Sequence, residues 1–214
     1  MKGMKTAILS IVIASLFISL MIEEPVMAIE DPDYDILESA EDFELRRYDS
    51  YIVAVTVVEE AFDDAGNEGF RRLFSYISGE NKKKASISMT APVSQEKDYE
   101  QISMTAPVNQ QSVAGRWRVT FMMPSGYTLE TLPEPIDERV TLKKVEGKLV
   151  AAIEYSGTWS KKRFKMKKER LESLIQERGL ISMGEPVFAR YNPPFMPWFM
   201  RRNEVLITVF RPDN

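Results

Sequence analysis

"ISMTAPV" occupies residues 87–93, returns unchanged at 102–108, and stands a third time, worn to "ISMGEPV", at 181–187. In the first copy Ile87, Met89 and Ala91 alternate with Ser88 and Thr90, the period-two pattern of a strand with one buried face. Pro92 has no N–H to give a neighbouring strand, so regular pairing is expected to stop there. The second copy repeats the pattern with Ile102, Met104 and Ala106 inward. Paired as a hairpin with both apolar faces inward, the copies would set Met89 opposite an even-numbered residue such as Met104.

The surroundings of the third copy carry the reading further. From Tyr51 the β-branched run "YIVAVTVV" reads as a strand. From Glu59 the spacing turns helical, with Phe62, Gly66, Gly69, Phe70, Leu73, Phe74 and Ile77 on one stripe, two glycines weakening its middle and Gly79 closing it. "RVTLKKVEGKLVAAIEYSG" reads as two strands turning at Glu146-Gly147. "WSKKRFKMKKERLESLIQERGL" then reads as a second helix, with Phe164, Leu171, Leu174 and Ile175 inward and Gly179 as its stop. The strand opening at Val53 reaches Ile87 through a helix after 34 residues, and the one opening at Ala151 reaches Ile181 through another after 30. Strand, helix, phrase is thus the repeated unit. Two such halves predict an α+β domain with pseudo-twofold internal duplication, its strands forming a distorted antiparallel β-barrel or curved sheet with two long helices packed on it. The competing reading of the third copy is chance convergence of short strands before proline. "RWRVTFMMP", "EPVFARY" and "EVLITVF" read as further strands, "GENKKK" and "YTLETLPEPID" as loops.

At the N-terminus Lys2 and Lys5 precede an apolar run from Ala7 to Ile22, and Val26-Met27-Ala28 supplies a small-residue ending. This reads as a signal peptide of residues 1–28, followed by a single domain over 29–214. The run is shorter than the roughly 20 residues that span a bilayer, although an uncleaved tether is the alternative. The expectation is an exported protein, periplasmic or extracellular. The net charge of -4 does not point to a nucleic-acid partner. The chain has no cysteine and no histidine, which removes disulfides, Ser-His-Asp and Cys-His catalysis, histidine-ligated zinc and histidine-bound haem. No phosphate-binding glycine loop or nucleophile elbow is present, so no enzyme is expected. Asp63-Asp64 reads as a solvated helix start, and Asp31, Asp33 and Asp35 as a loose tail lacking the spacing of a calcium loop. "KKRFKMKKER" sets lysines at the positive end of a helix, either as a solvated face or as a weak contact for anionic membrane surfaces.

"ARYNPPFMPWFMRRNEVLITV", with "ISMTAPV", "FMMPSGYTLETLPEP" and "YSGTWS", resembles the SOUL family of haem-binding proteins, in order from about Glu44 to Val209. The most specific part is Tyr191-Asn192-Pro193-Pro194 followed by Pro197-Trp198 and Arg201-Arg202-Asn203-Glu204-Val205. The resemblance implies a distorted barrel with two long helices, built by duplication and related to the gyrase-inhibitor-like fold. It also implies non-covalent binding of haem or another tetrapyrrole, by a protein expected to be a monomer. One branch of the family is discussed with a histidine axial ligand, which this chain does not have. The mode left open is apolar contact with the ring and basic side chains at the propionates. The pocket implied by the resemblance takes Phe70, Phe74 and Ile77 from the first helix. From the loop before the last strand it takes Tyr191, Phe195, Met196, Trp198 and Phe199, with Arg201 and Arg202. Each helix residue reads more readily as ordinary core, the loop residues read equally as packing, and Arg202 reads more readily as a staple to Glu204. Met89 and Met104 are weak candidates for iron ligation and read better as strand filler. The alternatives are a general small-molecule effector module without haem affinity and a membrane-surface or protein interaction module.

Overall fold

The computed structural model describes residues 32–97, 116–192 and 195–212. The N-terminal apolar run and the second copy of the phrase, with Met104, lie outside the described residues. The elements are β1 (Tyr34–Ala40), β2 (Phe43–Tyr48), β3 (Tyr51–Glu59), α1 (Phe62–Ile77), β4 (Val93–Lys97), β5 (Arg116–Met122), β6 (Val140–Val145), β7 (Lys148–Tyr155), α2 (Lys161–Glu177), β8 (Ile181–Arg190) and β9 (Asn203–Phe210), with a 3-10 turn at Trp198–Met200.

The nine strands form one antiparallel sheet in the order β1-β2-β7-β9-β8-β4-β5-β3-β6. Two tight links dictate its shape. Asp49-Ser50 joins β2 to β3, and Glu146-Gly147 joins β6 to β7, although each pair of strands lies near opposite ends of the order. Only a sheet curled back on itself satisfies both links, and a Cβ on Gly147 would stand 3.0 Å from the Tyr48 carbonyl in the facing turn. The curl stops short of closure, so the curved-sheet expectation holds and a closed barrel does not form.

Alternation divides the strand residues between two faces. Ala54, Val119, Phe121 and Val140 pack under α1, and Ala151, Ile153, Val205 and Ile207 under α2. Their neighbours Val53, Val55, Met122 and Val150 point to the uncovered concave face and are buried there by the curl itself. Gly69 has a structural reason: a Cβ there would lie 2.4 Å from Val119 Cγ2, so its absence lets α1 settle onto β5. α2 starts at Ser160, whose Oγ accepts from the Arg163 N–H, and ends before Gly179 at φ +65°.

Three expectations change. The first copy of the phrase is no strand: residues 85–89 have no regular structure, Ile87 N–H donates to the Ile77 carbonyl at 2.7 Å, and β4 begins only after the cis Ala91-Pro92 bond. Pro92 therefore precedes the pairing instead of ending it. The third copy does lie in a strand, β8, with Ile181 and Met183 exposed where Ile87 is buried and Met89 packs on the core. Thirdly, the segment around Asp35 is not a loose tail; it is β1, paired along its length with β2.

Candidate functional site

The loop between β8 and β9 is anchored through a buried polar cluster. Glu204, fully buried, accepts from Arg46 Nη1 at 2.8 Å, Arg46 Nη2 at 3.0 Å, Tyr191 Oη at 2.6 Å and Arg202 Nη2 at 2.8 Å. Burial alone raises the Glu204 pKa, but the hydrogen bonds and charge of Arg46, with Tyr191 and Arg202, outweigh it and hold the carboxyl below its usual value. The Arg202 guanidinium also lies 3.9 Å from the centre of the Tyr191 ring. Tyr191 and Arg202 are thus parts of the anchor, with Tyr191 buried.

Between these anchors the chain turns outward. Phe195 is 85% exposed, Trp198 56%, Phe199 60% and Met200 61%, and the Trp198 and Phe199 rings meet edge to face at 5.6 Å. Arg201 Nε donates to the Met196 carbonyl at 2.7 Å, which braces the turn from within. Of the helix residues, Ile77 is buried among Val119, Phe121 and Leu132, so it is a packing position, and Phe70 packs partly on the same cluster. Phe74 is 45% exposed and stacks on Phe70 at 5.7 Å. Phe195, Trp198 and Phe199 belong to none of the three core clusters of the described residues. Among the described residues no ring contact joins Phe70 or Phe74 to Phe195, Trp198 or Phe199. Met89 lies against the α1 cluster as filler.

At the root of the loop sits a group that sequence reasoning missed. The Arg201 guanidinium lies 4.3 Å from the Trp159 ring centre, and that of Arg190 lies 5.0 Å from the same ring and 4.8 Å from Phe188. Arg190 has no ion pair with a carboxylate among the described residues; its Nη2 reaches only Gln95 Oε1, at 3.4 Å. Burial lowers its pKa to about 10 against the opposing field of Asp63. Arg190 Nε, Trp159 Nε1 and the Tyr155 hydroxyl are all buried and make no hydrogen bond among the described residues. Three donors short of acceptors, one of them on the Arg190 guanidinium, with the Arg201 guanidinium on the same Trp159 ring, form a surrounding suited to a carboxylate. The signal lay in "YSGTWS" and "FARY", but only the fold brings those segments together.

The described residues hold no group of three or more His, Cys, Asp or Glu placed to grip a metal ion. Two concavities of the described residues measure about 370 and 290 Å³. At roughly 30 Å³ per water-sized group, neither of these two encloses a tetrapyrrole.

The family model described as SOUL heme-binding protein matches residues 29–208. The chain belongs to that family. Among curated SOUL relatives, Heme-binding protein 1 of Xenopus laevis is 26% identical over 164 residues, covering 76% of this chain and 81% of that protein. Heme-binding protein 1 of Mus musculus is 26% identical over 152 residues, covering 71% and 75%. Among solved structures, the EcmrR C-terminal domain matches with a TM-score of 0.59 at 8% identity, over 84% of this chain and 99% of that one. A hydrolase from Listeria innocua matches with a TM-score of 0.54 at 11% identity, over 79% and 92%. The two structural likenesses speak for the fold alone.

Proposed function

We propose that this SOUL-family protein binds haem or a related tetrapyrrole reversibly and non-covalently, without a histidine ligand and without catalysing a reaction. Family membership supports the ligand class, and one observation carries the site. Arg190, Trp159 and Tyr155 present unpartnered donors, and Arg201, which stacks on Trp159, directly follows the exposed aromatic turn of Phe195, Trp198, Phe199 and Met200 in the chain. A tetrapyrrole supplies a flat apolar ring and carboxylates; the turn would hold the first and the two arginines the second. The Phe70–Phe74 pair offers a further apolar surface of the same kind.

The test is an absorbance titration of the purified protein with hemin. A saturable shift of the Soret band at low-micromolar ligand is expected, weakened about tenfold, or ~1.4 kcal/mol, by Trp198→Ala and by Arg190→Gln. Absence of saturation, or unchanged binding in both variants, overturns the reading.

The apolar N-terminal run followed by Val26-Met27-Ala28 supports export with cleavage after Ala28, leaving one monomeric domain. Amino-terminal sequencing of the natural protein and its elution volume test this. Lys161, Lys162 and Lys165, exposed on α2, support weak contact with anionic membrane surfaces; salt-sensitive vesicle binding tests it. Internal duplication is supported by the strand order, which reads β4-β5-β3-β6 outward on one side of the β8/β4 pair and β8-β9-β7-β2 on the other. Superposing β3-α1-β4-β5 on β7-α2-β8-β9 tests it, and a fit that misaligns the helices overturns it.

A further inference from the structure

The helices cover one face of the sheet, and the other face curls around a cavity of about 290 Å³. Val53, Val55, Val150 and Leu206 give it apolar walls, while Glu96, Arg118 and Lys148 give it a polar side. The geometry points to a second binding site here, for a small amphipathic carboxylate of medium-chain fatty-acid type.

Size sets the first limit. At roughly 30 Å³ per water-sized group the cavity holds on the order of ten non-hydrogen groups, which suits a chain of decanoate length and excludes a macrocycle. Charge sets the second. Glu96, the cavity's one acidic residue among the described lining, accepts from Arg118 Nη1 at 2.9 Å, so its charge is already met by a cation. Lys148 makes no ion pair among the described residues, and Lys143 on the same wall makes none either. Burial holds the Lys148 pKa below its usual value, with the field of Glu96 opposing. A carboxylate reaching Lys148 would provide the counter-charge while its tail covers the valines. The walls are sheet residues held by pairing on both sides, so the site exists without rearrangement of the helices.

Calorimetric titration of the purified protein with decanoate, and with decyltrimethylammonium as the charge-inverted control, tests the site. Decanoate is expected to bind one to one and the cation at least tenfold more weakly. Lys148→Met should lower decanoate affinity about tenfold or more. Leu206→Phe, which narrows the cavity without touching its charge, should lower it as well, and this covers the case in which Lys148→Met fails to fold. Trp198→Ala should leave decanoate affinity unchanged, which separates this site from the aromatic turn and makes the result independent of the hemin titration. No decanoate binding, equal binding of the cation, or loss of binding in Trp198→Ala overturns the proposal.

Discussion

Glu204, on β9, is the residue on which the loop's position turns, because it gathers Arg46 from β2 and Tyr191 and Arg202 from the two ends of the loop. Removing one partner of a buried pair strands the other charge, so Arg46→Met is expected to cost about 3–5 kcal/mol in urea unfolding. The pH dependence follows from the lowered pKa of Glu204. A carboxyl whose folded pKa lies below its unfolded value contributes stability that is fully present above the unfolded value, near 4.5, and lost as pH falls through the lower folded value. Stability should therefore decline on acidification below that value, and Glu204→Gln should flatten this limb when urea midpoints are compared across pH. Here too lies the limit of legibility. Arg46 looks like a surface residue because a buried ion pair is chemically indistinguishable, in sequence, from two solvated charges. The Arg202–Glu204 contact was readable because the two residues are near neighbours in the chain. Arg190, Trp159 and Tyr155 were not, since nothing local marks a donor that lacks an acceptor.

At the scale of elements, close approach outweighs intrinsic propensity. Gly69→Ala would gain up to about 1 kcal/mol in helix propensity. The new Cβ meets Val119 at 2.4 Å, and that side chain is fixed in β5. Overpacking of about 1–3 kcal/mol should prevail, giving a lower melting temperature that Val119→Ala partly restores in the double variant. Ser160→Ala removes the cap of α2 and should cost about 1 kcal/mol by the same measurement. Both helices, β3 and β5 to β9 were legible, since each carries its own periodicity and stop signals. β2 was missed because both its faces are buried: Phe43 and Leu45 pack under α2, while Arg46 and Tyr48 are buried on the opposite side, so "FELRRY" shows no apolar-polar alternation. The first copy of the phrase reads as a strand, but residues 85–89 form none, because Ile87 is hydrogen-bonded to the end of α1 and Thr90 to the Met122 carbonyl. The alternation itself ends at Thr90, which is buried together with Ala91 and Pro92, so the segment lies on the core without one buried and one exposed face.

For the whole molecule, the curl gives one sheet two unlike faces. The convex side carries the helices, the concave side holds the basic, apolar-walled cavity, and the aromatic turn projects between β8 and β9. The two ligand classes proposed for them differ in size and should bind together, so saturating decanoate is expected to leave hemin affinity within about twofold in a paired titration. The sheet order has a kinetic consequence as well. β2 pairs with β7 and β6 with β3, so the strand preceding each strand–helix unit is donated across to the other unit. Neither unit can complete its own edge, and the pairs that close the structure join residues about a hundred positions apart. Such long-range pairing raises contact order, and refolding should be slow, in the millisecond-to-second range, with no separately folding half.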